Sequence, residues 1–213
     1  MPRPVDPERQ RARRLQIIDA GLTVFARQGY AGATTSAICK EAGIGSGTFF
    51  HYFPTKKALV LAILAEGAAE TREFFAAQEG HVDAVAVLAG WVCHSLADLA
   101  DPRAPGFIAV VGGLVTDHEI GAALAEQDQL TRDGLTRWLA TAQAARLVRS
   151  DHRPERLARW MSLIVDGFTG QTVAENGFDL ETEHPLLVKA LGSLLGVDLG
   201  PAMSSLPPVI GTP

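Results

Sequence analysis

Apolar residues recur at helical spacing along nearly the whole chain. In the first segment, Ile18, Leu22 and Phe25 stand at i, i+4 and i+7, and Leu15 extends the stripe upstream. Gly29 ends the pattern, as glycine often does just past a helix end. The spacing therefore predicts a first helix of about twenty residues.

Two short helices follow, separated by a turn. The Thr34-Thr35 pair offers N-cap hydroxyls for a helix that runs to Ala42. The next helix takes Ser46–Phe53, because Pro54 breaks it. Neither short helix is stable alone in water, so both must pack on the first, and we predict a helix-turn-helix unit. Its small core is expected to be Ile38, Ala42, Ile44, Phe49 and Phe53.

The rest of the chain is also predicted to be helical. Helices are expected over residues 56–78, 82–100, 107–115 and 118–147, and apolar stripes at 157–168 and 186–195 predict two more. The composition of 107–115 suits a strand, but we predict a helix because no partner strand is visible. The tail from Gly196 is rich in Pro, Gly and Ser, which is typical of disorder.

Charge divides the chain unevenly, although the net charge is only -5. Residues 1–60 carry nine Lys and Arg against four acids, whereas residues 61–213 carry ten against twenty. A basic segment in an acidic protein is typical of a nucleic-acid-binding part. The alternative is a solvated basic surface without a partner.

Other classes of protein find little support in the sequence. No apolar run is long enough for a membrane span, and the start lacks the apolar segment of a signal peptide. Cys39 and Cys93 stand far apart, so we expect a cytoplasmic protein without a disulfide. The Cys93-His94 pair lacks a second ligand pair and an obvious base. We therefore expect no metal, no cofactor and no enzymatic activity.

The second short helix of the unit carries the clearest chemistry. A helix-turn-helix places the N-terminal residues of this helix nearest the bases in the major groove. Residues 45–48 would then lie at the DNA surface, where glycine lets the backbone approach phosphates and free N–H groups favour anions. Phe50, His51 and Tyr52 would point outward to a thymine methyl, a base edge or a phosphate. Lys56 could reach the adjacent phosphate strand.

The alternative for Gly43, Gly45 and Gly47 is a nucleotide-phosphate cradle. That fingerprint follows a strand, has the spacing G-x-G-x-x-G, and is followed about twenty residues later by an acid. Here a helix precedes the glycines and the spacing is G-x-G-x-G. The context therefore excludes a dinucleotide fingerprint.

This stretch resembles the DNA-binding domain of the TetR family of transcriptional regulators. The resemblance covers about residues 9 to 60, and beyond it only helicity and length match. It is carried by Gly29-Tyr30, Thr34-Thr35, Ile38, Ala42-Gly43-Ile44, Gly47-Thr48-Phe49-Phe50-His51-Tyr52-Phe53, Lys56 and Leu59. It implies a DNA-binding regulator, typically a repressor that leaves its DNA when a small molecule binds.

The resemblance also implies a set of DNA contacts. Phosphate contacts are expected from Thr34, Thr48, Tyr52 and Lys56, base or groove contacts from Ser46, Gly47, Phe50 and His51, and Thr35 completes the set. Two departures from the family pattern bear on specificity. Gly45 stands where a capping serine is usual, which leaves Ser46 as the candidate to compensate, and Phe50 stands where tyrosine is common.

Four arginines lie before or within the first turns of the first helix, namely Arg9, Arg11, Arg13 and Arg14. In the family, such an extension reaches a neighbouring phosphate or the minor groove. The alternative is a frayed, solvated start. The sequence leaves both interpretations open.

One short recognition helix reads too few base pairs to find a site in a genome. We therefore expect a homodimer on a palindromic operator in double-stranded DNA, with half-sites roughly 34–36 Å apart. The last two helices carry wider apolar stripes than one helix face needs, although both stripes could pack only on their own domain. The predicted dimer residues are Leu157, Trp160, Met161, Ile164, Phe168, Leu187, Leu191 and Leu194.

The middle helices, about 82–147, are expected to bind the unidentified small-molecule effector. This molecule must prefer the conformation in which the two recognition helices are mis-spaced on DNA. Candidate residues are aromatic or amphipathic groups on otherwise apolar helices. They are Trp91, His94, Phe107, His118 and Trp138.

The predicted fold class is all-α. We expect a helix-turn-helix DNA-binding domain over residues 1–55, a larger helical regulatory and dimerisation domain over 56–197, and a disordered tail over 198–213. The leading hypothesis is a ligand-responsive repressor. The alternatives are a helical small-molecule-binding protein or enzyme that uses the 82–175 core, and an activator with the same DNA-binding domain.

Overall fold

The computed structural model describes residues 6–173 and 177–204. Its helices are α1 Pro7–Gly32, α2 Thr35–Glu41, α3 Ser46–Tyr52, α4 Lys56–Ala77, α5 Ala84–Ala97, α6 Ala104–Leu114, α7 His118–Ala144, α8 Pro154–Gln171, α9 Leu180–Leu195 and α10 Gly200–Ser204. The all-α prediction is confirmed, including α6, whose composition also suited a strand. Among these described helices, no single one is long and apolar enough to cross a membrane. The segments Ala84–Ala100 and Ala104–Leu114 reach the required length and hydrophobicity only when they are taken together, and the chain bends by 100° between them.

Local sequence signals place the ends of the first helices. Asp6 caps α1 by accepting a hydrogen bond from Glu8 N at 3.1 Å, and Pro7 occupies the first helical position. The arginine run from Arg9 therefore lies in a capped helix rather than in a frayed start. The helix is interrupted at the predicted stop, because Gly29 has φ +67°.

The chain forms two compact units whose limits differ from the predicted domain boundaries. Unit 1 consists of Met1–Gly67 and Gly106–Leu124, and unit 2 of Ala68–Pro105 and Ala125–Pro213. The division falls inside α4 and α7 rather than before α4. A segment that the sequence placed in the regulatory domain thus belongs to the unit that holds the helix-turn-helix.

The core of unit 1 joins the first four helices to α6 and the start of α7. Ile38 and Phe49 are completely buried in it, as predicted, and Phe53 is nearly so. The same cluster contains Val110 from α6 and Ile120 from α7, and Ile120 is completely buried. The core in which the two short helices are buried therefore includes residues from a segment that lies far away in the sequence.

At Gly106, α6 comes close to the backbone of α1. A Cβ atom added there would overlap Ala26 O and lie 2.9 Å from Ala26 Cα, which is backbone and cannot rotate away. We expect Gly106→Ala to destabilise the protein by about 1–3 kcal/mol, as overpacking usually does. Gly113→Ala is the matched control, because a Cβ at this position in the same helix meets nothing within 4 Å. Urea unfolding measures both variants, and equal stability would contradict the close α1–α6 contact.

Unit 2 is built from the end of α4 together with α5, most of α7, and α8 to α10. Leu135, Leu139 and Leu157 are completely buried in its core, and α8 packs along α9. Gly134, which weakens the helical pattern of α7, provides space for a neighbouring ring, because a Cβ there would overlap Phe75. The glycine thus costs some helix propensity but permits tight packing.

The first residues of the predicted disordered tail have a defined structure. Gly196 ends α9 in the left-handed conformation, with φ +72°, as helix-ending glycines often do. The chain then forms α10, which packs on α5, and Met203 Sδ lies 3.7 Å from Cys93 Sγ. Residues 198–204 are therefore ordered on unit 2, and the rest of the predicted tail lies outside the described residues.

The predicted dimer residues divide into two groups. Leu157, Met161, Leu187 and Leu191 are buried within their own chain, so they pack inside unit 2 and are not available to a partner. Ile164, Phe168 and Leu194 are half-buried, and Trp160 is exposed. The stripes were wide because one edge faces the core of the unit while the other faces outward. The outward edge also contains Leu163 and Leu186, which the sequence prediction omitted.

Candidate nucleic-acid interface

The turn between α2 and α3 is held by hydrogen bonds on both sides. Gly43 adopts φ +61°, a conformation that strains other residues, and Ile44 N donates to Cys39 O at 3.0 Å. Gln16 Nε2 of α1 donates to Ala42 O at 2.8 Å. The turn therefore positions α3 rigidly relative to α1 and α2.

The start of α3 presents backbone donors. The first intrahelical bonds are donated by Thr48 N and Phe49 N to Gly45 O, at 3.0 and 3.2 Å. The N–H groups of Ser46 and Gly47 precede these bonds, at the positive end of the helix dipole. Gly45 is the N-cap, and no side chain caps this helix, so Ser46 does not replace the missing capping serine.

The side chains of α3 separate into a buried face and an exposed face. Phe49 is completely buried, whereas Ser46, Thr48 and His51 are exposed and Phe50 is 52% exposed. A Cβ at Gly47 would meet nothing within 4 Å. The exposed tip of α3, residues 45–48, and the adjacent Phe50 and His51 thus form one accessible surface.

Exposed aromatic rings on α3 rest on neighbouring rings. Phe50 meets the buried Phe49 edge to face, with ring centroids 5.3 Å apart, and His51 meets Tyr52 in the same way at 5.1 Å. Tyr52 is half-buried. These contacts restrict the rings that the sequence predicts to contact DNA, and so lower the entropy lost on binding.

The start of α2 contributes a second accessible segment. Thr34 is exposed, and its Oγ1 accepts a hydrogen bond from Ala37 N at 3.1 Å. The hydroxyl of Thr34 keeps its own proton to donate, so it can cap the helix and bind a phosphate at once. Thr35 is half-buried.

Lys56, which is predicted to contact a phosphate, is hydrogen-bonded within its own chain. Its Nζ donates to Tyr30 O at 2.6 Å and to Ala33 O at 3.1 Å. The ammonium also lies 4.3 Å from the centroid of the Tyr30 ring. The side chain thus reaches back to the end of α1.

Unit 1 is less basic than the first sixty residues suggest. It contains nine Lys and Arg but seven acids, because Glu66, Asp117 and Glu119 join it. Arg14 pairs with Glu66, and Lys57 pairs with both Asp117 and Glu119. Hydrogen bonding to Glu119 raises the pKa of the Lys57 ammonium. These pairs join residues far apart in the sequence, so no sequence signal could have identified them.

The predicted effector residues do not fall in one unit. Trp91, His94 and Trp138 belong to unit 2, whereas Phe107 and His118 belong to unit 1. Phe107 packs against the core cluster of unit 1, and His118 is exposed at the start of α7. The five residues are therefore divided between the two units.

Unit 2 nevertheless contains unusual buried polar groups. His94 stacks on Phe74 with ring centroids 4.9 Å apart. Burial lowers the pKa of the His94 imidazole, and the negative charge of Asp98 opposes this effect only in part. Within the described residues, the buried atoms Trp138 Nε1, Ser162 Oγ and His184 Nε2 have no hydrogen-bond partner. Such atoms are rare in folded proteins and are compatible with a polar molecule bound nearby. Sequence reasoning missed Ser162 and His184, because an unpaired atom appears only after packing.

Comparison with known proteins agrees with this architecture. A helix-turn-helix with an exposed second helix, attached to further helices, defines a DNA-binding transcriptional regulator. Residues 17–63 match the family model described as bacterial regulatory proteins, tetR family. Over this segment the chain is similar to that family.

Three similar proteins illustrate the relationship. The HTH-type transcriptional repressor AcnR of Corynebacterium jeikeium is 28% identical over 166 residues, which is 78% of this chain and 84% of AcnR. The regulator UidR of Escherichia coli is 38% identical over 53 residues, which is 25% of this chain and only 27% of UidR. The fold resembles that of Bacillus subtilis FadR in complex with stearoyl-CoA, with a TM-score of 0.71, 20% identity, and coverage of 85% of this chain and 98% of FadR.

Proposed function

We propose that this regulator is a repressor, which binds a palindromic operator as a homodimer and leaves it when a small molecule binds in unit 2. The observation that carries the proposal is the exposed tip of α3, with open space at Gly47 and unbonded N–H groups at the start of the first helical turn. This surface fits the major groove and its phosphates. The cytoplasmic location expected from the sequence suits a protein that works on DNA.

An exposed apolar face on α8 and α9 supports the dimer. Trp160 and Leu163 stand one helical turn apart on α8, at 48% and 53% exposure, and Leu186 on α9 is 61% exposed. Exposed apolar residues that cluster on adjacent helices mark an interaction surface. Two such helix pairs form a four-helix bundle when two-fold symmetry brings them together.

Two observations support a small-molecule effector in unit 2. Its core contains the unpaired polar atoms Trp138 Nε1 and Ser162 Oγ among apolar side chains, and ligand sites combine these properties. The solved FadR structure of similar fold holds stearoyl-CoA. We expect an effector with a large apolar part and a few hydrogen-bonding groups.

The proposal is tested by selecting DNA from a random duplex library with the purified protein. We expect a palindrome, bound tightly at low salt and released as salt rises, because phosphate contacts displace counterions. A thermal-shift screen then identifies molecules that stabilise the protein, and the same molecules should release the DNA. If no DNA is bound at low salt while small molecules still stabilise unit 2, the binding-protein or enzyme alternative replaces the repressor.

His51 is expected to affect which sequence is selected. Its exposed ring lies on α3 beside the tip, where an imidazole can hydrogen-bond a base edge. We expect His51→Ala to select a palindrome altered at one position in each half-site, with about 1–3 kcal/mol of discrimination lost there. The same selection experiment measures this, and an unchanged consensus with lower affinity would assign His51 to a phosphate.

A further inference from the structure

Residues seven positions apart on α8 share one face of the helix but differ in size and charge. Because seven residues make almost two full helical turns, Trp160 and Gly167 point in nearly the same direction, as do Arg159 and Asp166. Trp160 is 48% exposed, whereas a Cβ atom at Gly167 would meet nothing within 4 Å. The first half of this face therefore projects a large ring beside a cation, and the second half offers open space beside an anion.

Four exposed positions form a stripe along α8, which we call the α8 stripe. Trp160, Leu163, Gly167 and Gly170 follow one another at steps of three, four and three residues, the spacing by which one helix packs along another. The two large apolar residues come first and the two glycines last. A Cβ atom at Gly170 would also meet nothing within 4 Å. Large apolar side chains and open backbone surface thus lie at opposite ends of one stripe.

A second copy of this chain presents the complementary surface when its α8 runs in the opposite direction. In an interface with two-fold symmetry, every contact between two different residues occurs twice. An axis that passes between Leu163 and Ile164 brings Trp160 of each copy onto Gly167 of the partner subunit. The same axis brings Arg159 beside Asp166 of the partner subunit. A parallel pairing would instead place like charges together and leave the space over the glycines unfilled.

We propose that two copies of this chain pair through antiparallel α8 helices, with the Trp160 ring of each copy seated over Gly167 of the partner subunit. The inference rests on the homodimer of the proposed function, and it adds the direction and register of the pairing. A glycine lets the ring approach the helix backbone closely, so the interface can reach the packing density of a protein interior. A buried tryptophan of this kind commonly contributes much of the binding energy of an interface.

The surroundings of Asp166 within its own chain support a partner of opposite charge. Although Asp166 is exposed, its carboxyl loses part of its hydration, which raises its pKa, and the negative charge of Asp128 raises that pKa further. The carboxylate is therefore less stable here than in water. Arg159 is exposed on the same side of α8, and the guanidinium of a second copy would stabilise this carboxylate.

Exchanging the sizes of the two residues tests the packing. We expect Gly167→Leu to weaken the dimer at least tenfold, because the added side chain occupies the space of the partner's ring. Adding Trp160→Ala to Gly167→Leu should recover part of that loss. The two positions stand about 10 Å apart along one helix, so a coupling between them can arise only across the dimer. Gly113→Leu is the matched control, because Gly113 is an exposed helical glycine of α6 with open space around a Cβ.

Exchanging the charges tests the direction of the helices independently, with substitutions at exposed positions. Arg159→Asp and Asp166→Arg should each weaken the dimer about tenfold at low salt, because each places like charges opposite one another. The variant that carries both substitutions restores opposite charges across an antiparallel pair, so it should dimerise like the wild type. Salt screens these effects, and the three variants should converge as the ionic strength rises.

Sedimentation equilibrium of the full chain measures the dimer dissociation constant of each variant, and circular dichroism checks that the helices are retained. Losses that simply add, in both the size and the charge exchange, overturn the proposed pairing but leave a homodimer through another surface. A wild-type chain that stays monomeric overturns the pairing and the homodimer together. Because no DNA is present, failure of the wild-type protein to bind any duplex would reject the repressor but not this pairing.

Discussion

Gly47→Ala is expected to weaken operator binding at least tenfold, or about 1.4 kcal/mol, without harming the fold. A Cβ at this position meets nothing within 4 Å in the free protein. Alanine also favours helix over glycine by up to about 1 kcal/mol, so the variant should be as stable as the wild type or more stable. The affinity would be lost in the complex, because the added methyl group would keep the backbone of α3 from approaching the DNA groove closely.

Gly113→Ala is the matched control for this substitution. Gly113 is also an exposed helical glycine with open space around a Cβ, but it lies on α6. Both variants should unfold at similar urea concentrations, and only Gly47→Ala should lose affinity in a titration against the selected duplex. Wild-type affinity for Gly47→Ala would mean that the tip of α3 does not approach DNA, and the interface would have to be placed elsewhere.

Leu163→Lys is expected to convert the dimer to monomers and to lower operator affinity at least about a hundredfold. Leu163 is an exposed apolar residue of α8, three residues after the exposed Trp160 and next to the half-buried Ile164. An ammonium placed in an apolar interface loses its hydration without gaining a partner, at a cost of several kcal/mol. A monomer then binds one half-site only, and the gain from linking two half-sites, about 10²–10⁴, is lost.

Val82→Lys is the control, because Val82 is 96% exposed and lies before α5, on neither α8 nor α9. Sedimentation measures the mass of each variant, and far-ultraviolet circular dichroism checks that helices are retained. We expect Val82→Lys to remain dimeric and to bind the operator normally. A dimeric Leu163→Lys would place the interface on another surface.

Short-range features of the unit 1 helices were predictable from the chain. Thr34 caps α2 because its hydroxyl accepts a hydrogen bond from the Ala37 amide. Gly43 adopts a positive φ in the turn, and Pro54 follows the end of α3. The inward position of Phe49 and the outward position of Phe50 follow from helical spacing alone. Each of these outcomes depends on residues within one or two turns of each other.

The functional partners of charged residues were not predictable in the same way. Lys56 donates to Tyr30 O and Ala33 O, two acceptors within the folded chain that no sequence pattern indicated. In the sequence, Lys57 adds to the basic charge of the first sixty residues. In the fold, Asp117 and Glu119 form ion pairs with it. The hydrogen-bond acceptors near a long, flexible side chain are determined by the tertiary structure and not by its neighbours in the sequence.

The local pattern of apolar residues, glycines and helix caps was sufficient to specify an all-helical protein with a helix-turn-helix near its start, because helix ends and faces depend on neighbours in sequence. Only tertiary packing placed residues 106–124 in unit 1 and separated the buried Leu157 from the exposed Trp160 on α8. Those outcomes depend on which apolar surfaces pack together across long stretches of chain. Many pairings of helices are compatible with the same spacing of apolar residues.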